Sequence, residues 1–148
     1  MSFIDAVSRP IQLTTGGIDR FGSFIDLVIR LWVANVFWKS GLTKITSWDS
    51  TLYLFEYEYA VPLIPAGLAA VLGTGMELTM PVLLAIGLGS RFSALALFIF
   101  SIIAVISYPT LHEVGFKDHV YWGLLLAVTF FHGPGAFSLD HLIRKRLC

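Results

Sequence analysis

Three ionisable side chains lie inside long apolar stretches of this chain, and they are its first candidates for chemistry. Glu77 lies near the middle of the apolar run 66–88, Arg30 lies in the first apolar run and His132 lies in the last. A charged side chain in the hydrocarbon core of a bilayer is costly unless it is protonated or paired. The sequence therefore predicts an intrabundle polar site in which Arg30 pairs with Glu77, with His132 or Ser101 nearby.

This predicted pair has two interpretations that the sequence leaves open. In the first, Arg30 and Glu77 only fix the order and register of the helices. In the second, Glu77 carries a proton or contacts a ligand. Pro81 favours a site, because it has no N–H for the carbonyl of Glu77 and leaves that acceptor free at the same level of the helix.

A second group of polar residues flanks the ends of the apolar runs. We call it the outer cluster, and its members are Lys44, Glu56, Glu58, His112 and His119. These side chains could bind a cation or a partner, or they could form a solvated rim. Imidazole and carboxylate groups are ligands for zinc and copper. The two histidines belong to no spaced ligand motif, however, so no metal site is assigned.

Apolar helices must position these residues. The 148 residues are 56% hydrophobic with a mean hydropathy of +0.77, and the apolar residues come in long blocks, which is typical of a membrane protein. The predicted spans are about 24–44, 66–88, 91–111 and 118–137, and the aromatic and acidic segment 47–65 is predicted to form a short outer interfacial helix. The predicted fold class is an all-α membrane protein, with residues 1–148 forming one antiparallel bundle of four transmembrane helices.

Composition and motifs exclude several classes of protein. The formal net charge is zero, so no basic surface indicates a nucleic-acid partner. The single cysteine, Cys148, excludes an internal disulfide framework and a CxxC redox pair. The sequence contains no phosphate-binding glycine loop, nucleophile elbow or HExxH motif, so it has no self-contained catalytic motif.

The lysines and arginines outside the spans predict the orientation of the chain. One side of the membrane receives Arg9, Arg20, Arg91, Arg144, Lys145 and Arg146. The other side receives Lys44 and Lys117 among several acidic residues. Both termini are therefore predicted to be cytoplasmic, and the segment 47–65 is predicted to face outward.

Across nearly all of residues 24–140 the chain resembles the DoxX family of small four-helix bacterial membrane proteins. The features that carry the resemblance are Arg30, the FWKSGLTKI segment with Gly41 and Lys44, Glu77, and the GLGSR turn with Gly87 and Arg91. Met80 and Pro81 stand where many relatives have small glycines. The segment 47–65 is similar to that of a subgroup found with systems that make copper-binding modified peptides.

The resemblance implies an integral component of the bacterial inner membrane that serves a redox or metal/thiol-stress system. Relatives are linked to membrane redox and oxidative-stress complexes, and the subgroup implies copper homeostasis. Some related proteins handle thiol pairs, which this chain lacks. A quinone needs an apolar pocket, a donor and a proton relay. Because Arg30, Glu77 and His132 could supply the polar groups, the resemblance is compatible with a quinone cofactor, although it assigns none.

Two other functions stay open. The chain could be a non-catalytic docking or assembly partner for a periplasmic or membrane protein, held through the segment 47–65. It could also be a small transporter, although four short spans would need oligomerisation to enclose a path. The expected partners are the lipid bilayer and either another protein or further copies of this chain.

Overall fold

The protein is built from helices alone over the part of the chain that its structure describes. The computed structural model describes the backbone of residues 3–59, 61, 63–108, 111 and 113–147, with side chains from residue 21 onward. The helices are α1 (Phe3–Thr46), α2 (Trp48–Tyr57), α3 (Ala66–Ile86), α4 (Ser90–Ser107), α5 (Glu113–His132) and α6 (Leu139–Leu147). The prediction of an all-α fold is confirmed.

Three of these helices are long and apolar enough to cross a bilayer. They are the Phe21–Thr46 part of α1, then α3 and α4. The prediction of an all-α membrane protein is therefore confirmed. Helix α5 also has 20 residues. Its polar residues Lys117, Asp118 and His119 lower its mean hydropathy, so it is not among the helices that are apolar enough to cross. A fourth crossing through α5 stays a prediction.

The four long helices pack as a bundle in which α1 contacts α3 and α5, and α4 contacts α3 and α5. The order of the contacts along the two helices shows that α1 and α3 run antiparallel. Arg30, early in α1, meets Leu84, late in α3, whereas the later Lys44 meets the earlier Glu77. The main core consists of buried apolar residues from all four helices: Val33, Ala34, Phe37, Leu84, Ala94, Leu97 and Leu126. Large apolar side chains also cover the outer surface of the bundle, as expected for helices that face lipid.

Helix α2 confirms that the segment 47–65 contains a short helix. It begins at Trp48, and the Ser47 side chain before it makes no capping hydrogen bond. The buried face of α2 presents Phe55, which packs against Ala69 and Ala70 of α3. Burial of that ring fixes α2 across the start of α3, while its position at the membrane interface stays a prediction.

The helices differ from the predicted spans in several places. Helix α4 ends at Ser107 rather than near residue 111. Helix α5 is Glu113–His132 rather than 118–137, because Gly133, with a positive φ angle of 99°, follows its last residue. Helix α1 begins at Phe3 rather than near residue 24, because a helix can continue beyond its apolar part. Helix α6 was not predicted as a helix, since only the cationic character of the tail was evident in the sequence. A tight turn joins α3 to α4, and its Gly87 and Gly89 have positive φ angles of 76° and 58°.

Candidate functional site

The carboxylate of Glu77 is buried between α1 and α3 and is fully paired. Its relative exposure is 5%. Lys44 Nζ lies 2.7 Å from Oε2 and 2.9 Å from Oε1, and Ser40 Oγ donates to Oε1 at 3.0 Å. We call these three residues the Glu77 cluster. They form a compact charged group in which each oxygen of the carboxylate accepts at least one hydrogen bond.

The local sequence of α1 explains how this cluster forms. Ser40 and Lys44 are four residues apart, so they share one face of the helix, and Lys44 Nζ also contacts Ser40 Oγ at 2.9 Å. Gly41 lies between them, where a Cβ atom would lie 2.9 Å from the Leu78 side chain. The glycine therefore allows α3 to approach closely enough for Glu77 to reach both partners.

The prediction that Arg30 pairs with Glu77 is wrong. Arg30 is fully buried, and its guanidinium donates instead to the carbonyls of Leu84 at 3.1 Å, Ala85 at 3.3 Å and Phe137. Helical side chains lean towards the N-terminus of their helix. This direction takes Arg30 away from Glu77 and brings Lys44 back towards it.

Two of the last backbone carbonyls of α3 take the place of the carboxylate as hydrogen-bond acceptors for Arg30. These carbonyls have no partner within the helix and carry partial negative charge. Leu84 lies seven residues beyond Glu77, which corresponds to about 10 Å along the helix axis. Arg30 and Glu77 therefore belong to different levels of the bundle.

His132 also lies at the level of Arg30, not near Glu77. Its Nδ1 is 2.9 Å from Oδ1 of Asp26, whose side chain is buried. Sequence reasoning missed Asp26, although Asp26 and Arg30 are four residues apart and share a face of α1. We call Asp26, Arg30 and His132 the Arg30 cluster. The predicted single intrabundle site is in fact two separate polar clusters. The prediction that His132 lies inside the bundle is wrong, because its side chain is 64% exposed and only its Nδ1 edge reaches the buried Asp26.

The predicted outer cluster is not brought together by the structure. Lys44 turns into the bundle to meet Glu77, and His119 contacts Ser101 at 2.8 Å from Nδ1 to Oγ. Glu56 and Glu58 are exposed on and after α2, and His112 lies outside the described residues. The physical reason is that a polar side chain buried in the bundle needs a hydrogen-bonding partner there. Lys44 and His119 each have one, so neither extends towards the exposed glutamates.

His119 and Ser101 lie in the wall of a groove between α4 and α5. The groove has a volume of about 370 Å³ and is otherwise lined by apolar side chains and one glycine, among them Phe98, Ile102, Ile106, Phe116, Val120 and Gly123. The Trp122 ring packs edge-on against His119 with centroids 4.9 Å apart. One pair of hydrogen-bonding groups thus faces an apolar space that opens towards the outside of the bundle.

Aromatic side chains close the bundle between α2 and the end of α4. Tyr59 packs edge-on against Phe55 and against Tyr108, with ring centroids 4.9 Å and 5.0 Å apart. Burial raises the pKa of Tyr59, and the neighbouring Tyr108, Glu58 and Glu77 act in the same direction. Tyr59 therefore stays a neutral phenol at physiological pH and can donate a hydrogen bond.

These arrangements limit the chemistry that the chain can perform. Within the described ranges, no three His, Cys, Asp or Glu side chains converge as metal ligands. The Glu77 cluster can hold a proton or fix helix register. The pair of His119 and Ser101 can donate to, and accept from, a polar atom of an otherwise apolar molecule.

Comparison with known proteins decides the family. The family model described as DoxX matches residues 25–110, which is more than half of the chain. The chain belongs to the DoxX family. The matched range contains Arg30, Lys44, Glu77 and Ser101, whereas α5 with His119 lies beyond it.

One relative extends the likeness of this DoxX-family protein beyond the matched range. An uncharacterized protein of Haemophilus influenzae is 31% identical over 131 residues, which cover 80% of this chain and 83% of that protein. No solved structure matches the chain. The family membership confirms the resemblance inferred from the sequence, and it supports a membrane protein that contacts the lipid bilayer.

Proposed function

We propose that this DoxX-family protein is a quinone-interacting component of a redox or metal/thiol-stress system in the bacterial inner membrane. The observation that carries the proposal is the contact of His119 with Ser101 in the wall of the apolar groove between α4 and α5. The groove lining contains none of Arg30, Glu77 or His132. The proposed quinone site therefore rests on His119 and Ser101 rather than on the three residues that the sequence favoured.

The groove suits a quinone in both size and chemistry. Small-molecule sites are commonly about 300–1,000 Å³, mostly apolar, with a few polar groups that fix orientation, and the groove is about 370 Å³. A quinone carbonyl accepts a hydrogen bond, which either the Ser101 hydroxyl or a His119 N–H can donate. The apolar tail of a membrane quinone would lie along the side chains of α4 and α5.

In this proposal the chain binds and orients the ring, and a redox partner exchanges the electrons. The His119 ring can donate or accept a hydrogen bond, according to its tautomer. Its hydrogen bond to Ser101 fixes the ring orientation beside the groove. The Glu77 cluster joins α1 to α3 and holds these helices in register.

Quenching of tryptophan fluorescence tests the proposal directly. Trp122 contacts His119, so a quinone bound in the groove should quench it. The purified protein in lipid nanodiscs would be titrated with a short-chain ubiquinone analogue, and a saturable quenching component is expected. Ser101→Ala should weaken binding about five- to tenfold, the usual worth of one hydrogen bond, and His119→Leu should weaken it at least as much.

Two further variants make this measurement specific. Trp122→Phe should remove the saturable component, because Trp122 packs against His119 of this groove, whereas Trp38 lines the other groove. Asn35→Ala is the matched control, since Asn35 lines a different groove between α1 and α3. Quenching that rises linearly with quinone and is equal in all variants would show partition into lipid only, and the proposal would fail.

A second candidate function is docking of a partner protein on α2, and one observation favours it. Tyr53 and Tyr57 are exposed by 59% and 67%, and their ring centroids lie 4.7 Å apart. Tyrosines are enriched at protein interfaces, and the exposed Glu56 and Glu58 surround them with negative charge. If docking is the function, Tyr57→Ala with Glu58→Ala should abolish copurification of a partner, whereas Ser101→Ala should leave it unchanged.

A further inference from the structure

Helix α6 carries an apolar face that lies exposed at one end of the bundle. Leu139, Leu142, Ile143 and Leu147 are 40%, 54%, 44% and 80% exposed. Their spacing of three, four and eight residues places them on one side of a helix. Its last turn adds three cationic side chains, Arg144, Lys145 and Arg146.

The start of α6 is held tightly against the turn between α3 and α4. The carboxylate of Asp140 accepts hydrogen bonds from the backbone N–H groups of Gly89 at 2.8 Å and Ser90 at 2.9 Å. The backbone N–H of Asp140 donates to the Gly87 carbonyl at 2.9 Å. These bonds place α6 at the level where one membrane-spanning helix ends and the next begins, which is the boundary of the bilayer.

Beyond its first turn, α6 is not packed on the bundle. The major contacts among the described helices involve α1 to α5 and do not include α6. Isolated helices shorter than about 12 residues are marginal in water, and α6 has nine. The cationic last turn stabilises the helix through its dipole, but this effect leaves the four apolar side chains uncovered. A second surface must cover them.

We propose that α6 lies flat on the bilayer surface and binds anionic phospholipid headgroups through Arg144, Lys145 and Arg146. An amphipathic helix with basic residues binds an anionic membrane by inserting its apolar face and pairing its charges with the headgroups. The site on the bundle that fixes α6 already lies at the level of the headgroups, so no movement of the chain is needed. Arg146 lies within the apolar face, between Leu142 and Leu139 around the helix, and its long side chain can extend its charged end to the headgroups.

The test measures the depth of α6 in vesicles of two compositions. The full-length protein with Cys148→Ser and Leu142→Cys would carry a nitroxide at position 142. It would be reconstituted in phosphatidylcholine alone or with phosphatidylglycerol added. Accessibility to oxygen and to a water-soluble nickel complex then reports the depth of the label. We expect immersion in the anionic vesicles and weaker immersion in the neutral ones.

Charge removal provides the second arm of this test. Each basic residue near an anionic surface contributes about a fivefold factor, so changing Arg144, Lys145 and Arg146 to Gln should shift the equilibrium towards released helix by about 100-fold. A label at His141, on the opposite face of α6, should stay in water throughout. The comparison of neutral with anionic vesicles uses the protein with all three basic residues in place, so it tests the proposal even if the neutralised variant folds poorly.

Two results would overturn the proposal. The first is a label at position 142 that is equally exposed to water in both kinds of vesicle. The second is a label that is shielded equally from oxygen and from the nickel complex in both kinds of vesicle, since this would show that protein covers the apolar face. The proposal does not depend on quinone binding, and the fluorescence test of the α4–α5 groove has no bearing on it.

Discussion

At the scale of single residues, the pair of Lys44 and Glu77 determines how charge is accommodated inside the bundle. The side chains are 19% and 7% exposed and lie 2.7 Å apart. Removing one member of such a pair leaves the other charge buried without a partner, whereas replacing both removes that penalty. The geometry therefore predicts strong energetic coupling between positions 44 and 77.

A double-mutant cycle would measure this coupling. Glu77→Gln and Lys44→Met should each lower the free energy of unfolding by about 3 kcal/mol. The double variant should lose far less than the sum, because it leaves no unpaired charge. Unfolding of the purified protein in mixed micelles gives the free energies. The matched control pairs Glu77→Gln with Arg30→Met, whose effects should add because Arg30 binds backbone carbonyls instead. Additive effects at 44 and 77 would contradict the structure.

The two glycines of the α3–α4 turn provide a second test at this scale. Both have positive φ angles, but a Cβ at Gly87 would lie 2.5 Å from Arg30 Nη1 and 2.6 Å from Ser138 Cβ, whereas Gly89 faces open space. Gly89→Ala should cost about 1 kcal/mol from backbone conformation alone. Gly87→Ala should cost at least about 1 kcal/mol more, because Arg30 must move. Equal losses of unfolding free energy in the two variants would show that the guanidinium is not held there.

These residues also show what sequence alone can predict about the site. The presence of buried charges followed from their cost in a bilayer, and that reasoning selected Glu77 and Arg30 correctly as interior residues. Their partners could not be chosen, because the choice depends on the register of α1 against α3 and on the lean of helical side chains. The acceptors at the end of α3 are backbone carbonyls, so no pattern of side-chain types in the sequence marks them as partners of Arg30. Asp26 did leave one, four residues before Arg30.

At the scale of elements, attachment of α6 depends on the charge of Asp140. Partial burial acts to raise the pKa of Asp140, but hydrogen bonds from the backbone of Ser90 and Gly89 and the charge of Arg144 outweigh it, so the pKa is lowered. A carboxyl whose pKa is lower in the folded state contributes stability above its usual pKa of about 3.9. That contribution is lost as the pH falls from there through the lower, folded value.

Helix α6 should therefore come loose in acid. A nitroxide at His141→Cys, in a Cys148→Ser background and in detergent, should show the restricted motion of a helix-surface label at neutral pH and become more mobile below about pH 4. Asp140→Asn should raise the mobility at neutral pH and remove most of the pH response. Asp49→Asn is the control, because Asp49 is an exposed acid in the first turn of another helix. Mobility that is independent of pH in the parent protein would argue against the role of Asp140.

Helices differ in how well the sequence predicts them, for physical reasons. Helices α3 and α4 follow from long apolar runs, and α2 follows from its aromatic and acidic residues. Helix α6 is short and strongly charged, so its apolar face is a weak signal without the turn that fixes its start. The continuation of α1 to Phe3 has no apolar run to mark it.

At the scale of the whole molecule, the contacts of α5 bear on the number of times that the chain crosses the bilayer. Helix α5 packs against both α1 and α4. It runs antiparallel to α4, because Ser101 meets His119 whereas the earlier Arg91 meets the later Phe131. A helix of 20 residues spans about 30 Å. Packing inside the bundle thus argues that α5 crosses, although Lys117 and Asp118 reduce its hydropathy.

Labelling of single cysteines would decide the number of crossings and the orientation together. Three proteins suffice: the parent with its native Cys148, Asp49→Cys with Cys148→Ser, and Lys117→Cys with Cys148→Ser. If α5 crosses, a membrane-impermeant maleimide added to intact cells should label positions 49 and 117 but label Cys148 only after lysis. That pattern follows from the positive charges around Arg91 and in the tail, which favour the cytoplasmic side. Labelling of Cys148 from the same side as position 49 would mean that α5 lies on the membrane, and the groove of His119 would then be closed by headgroups instead of acyl chains.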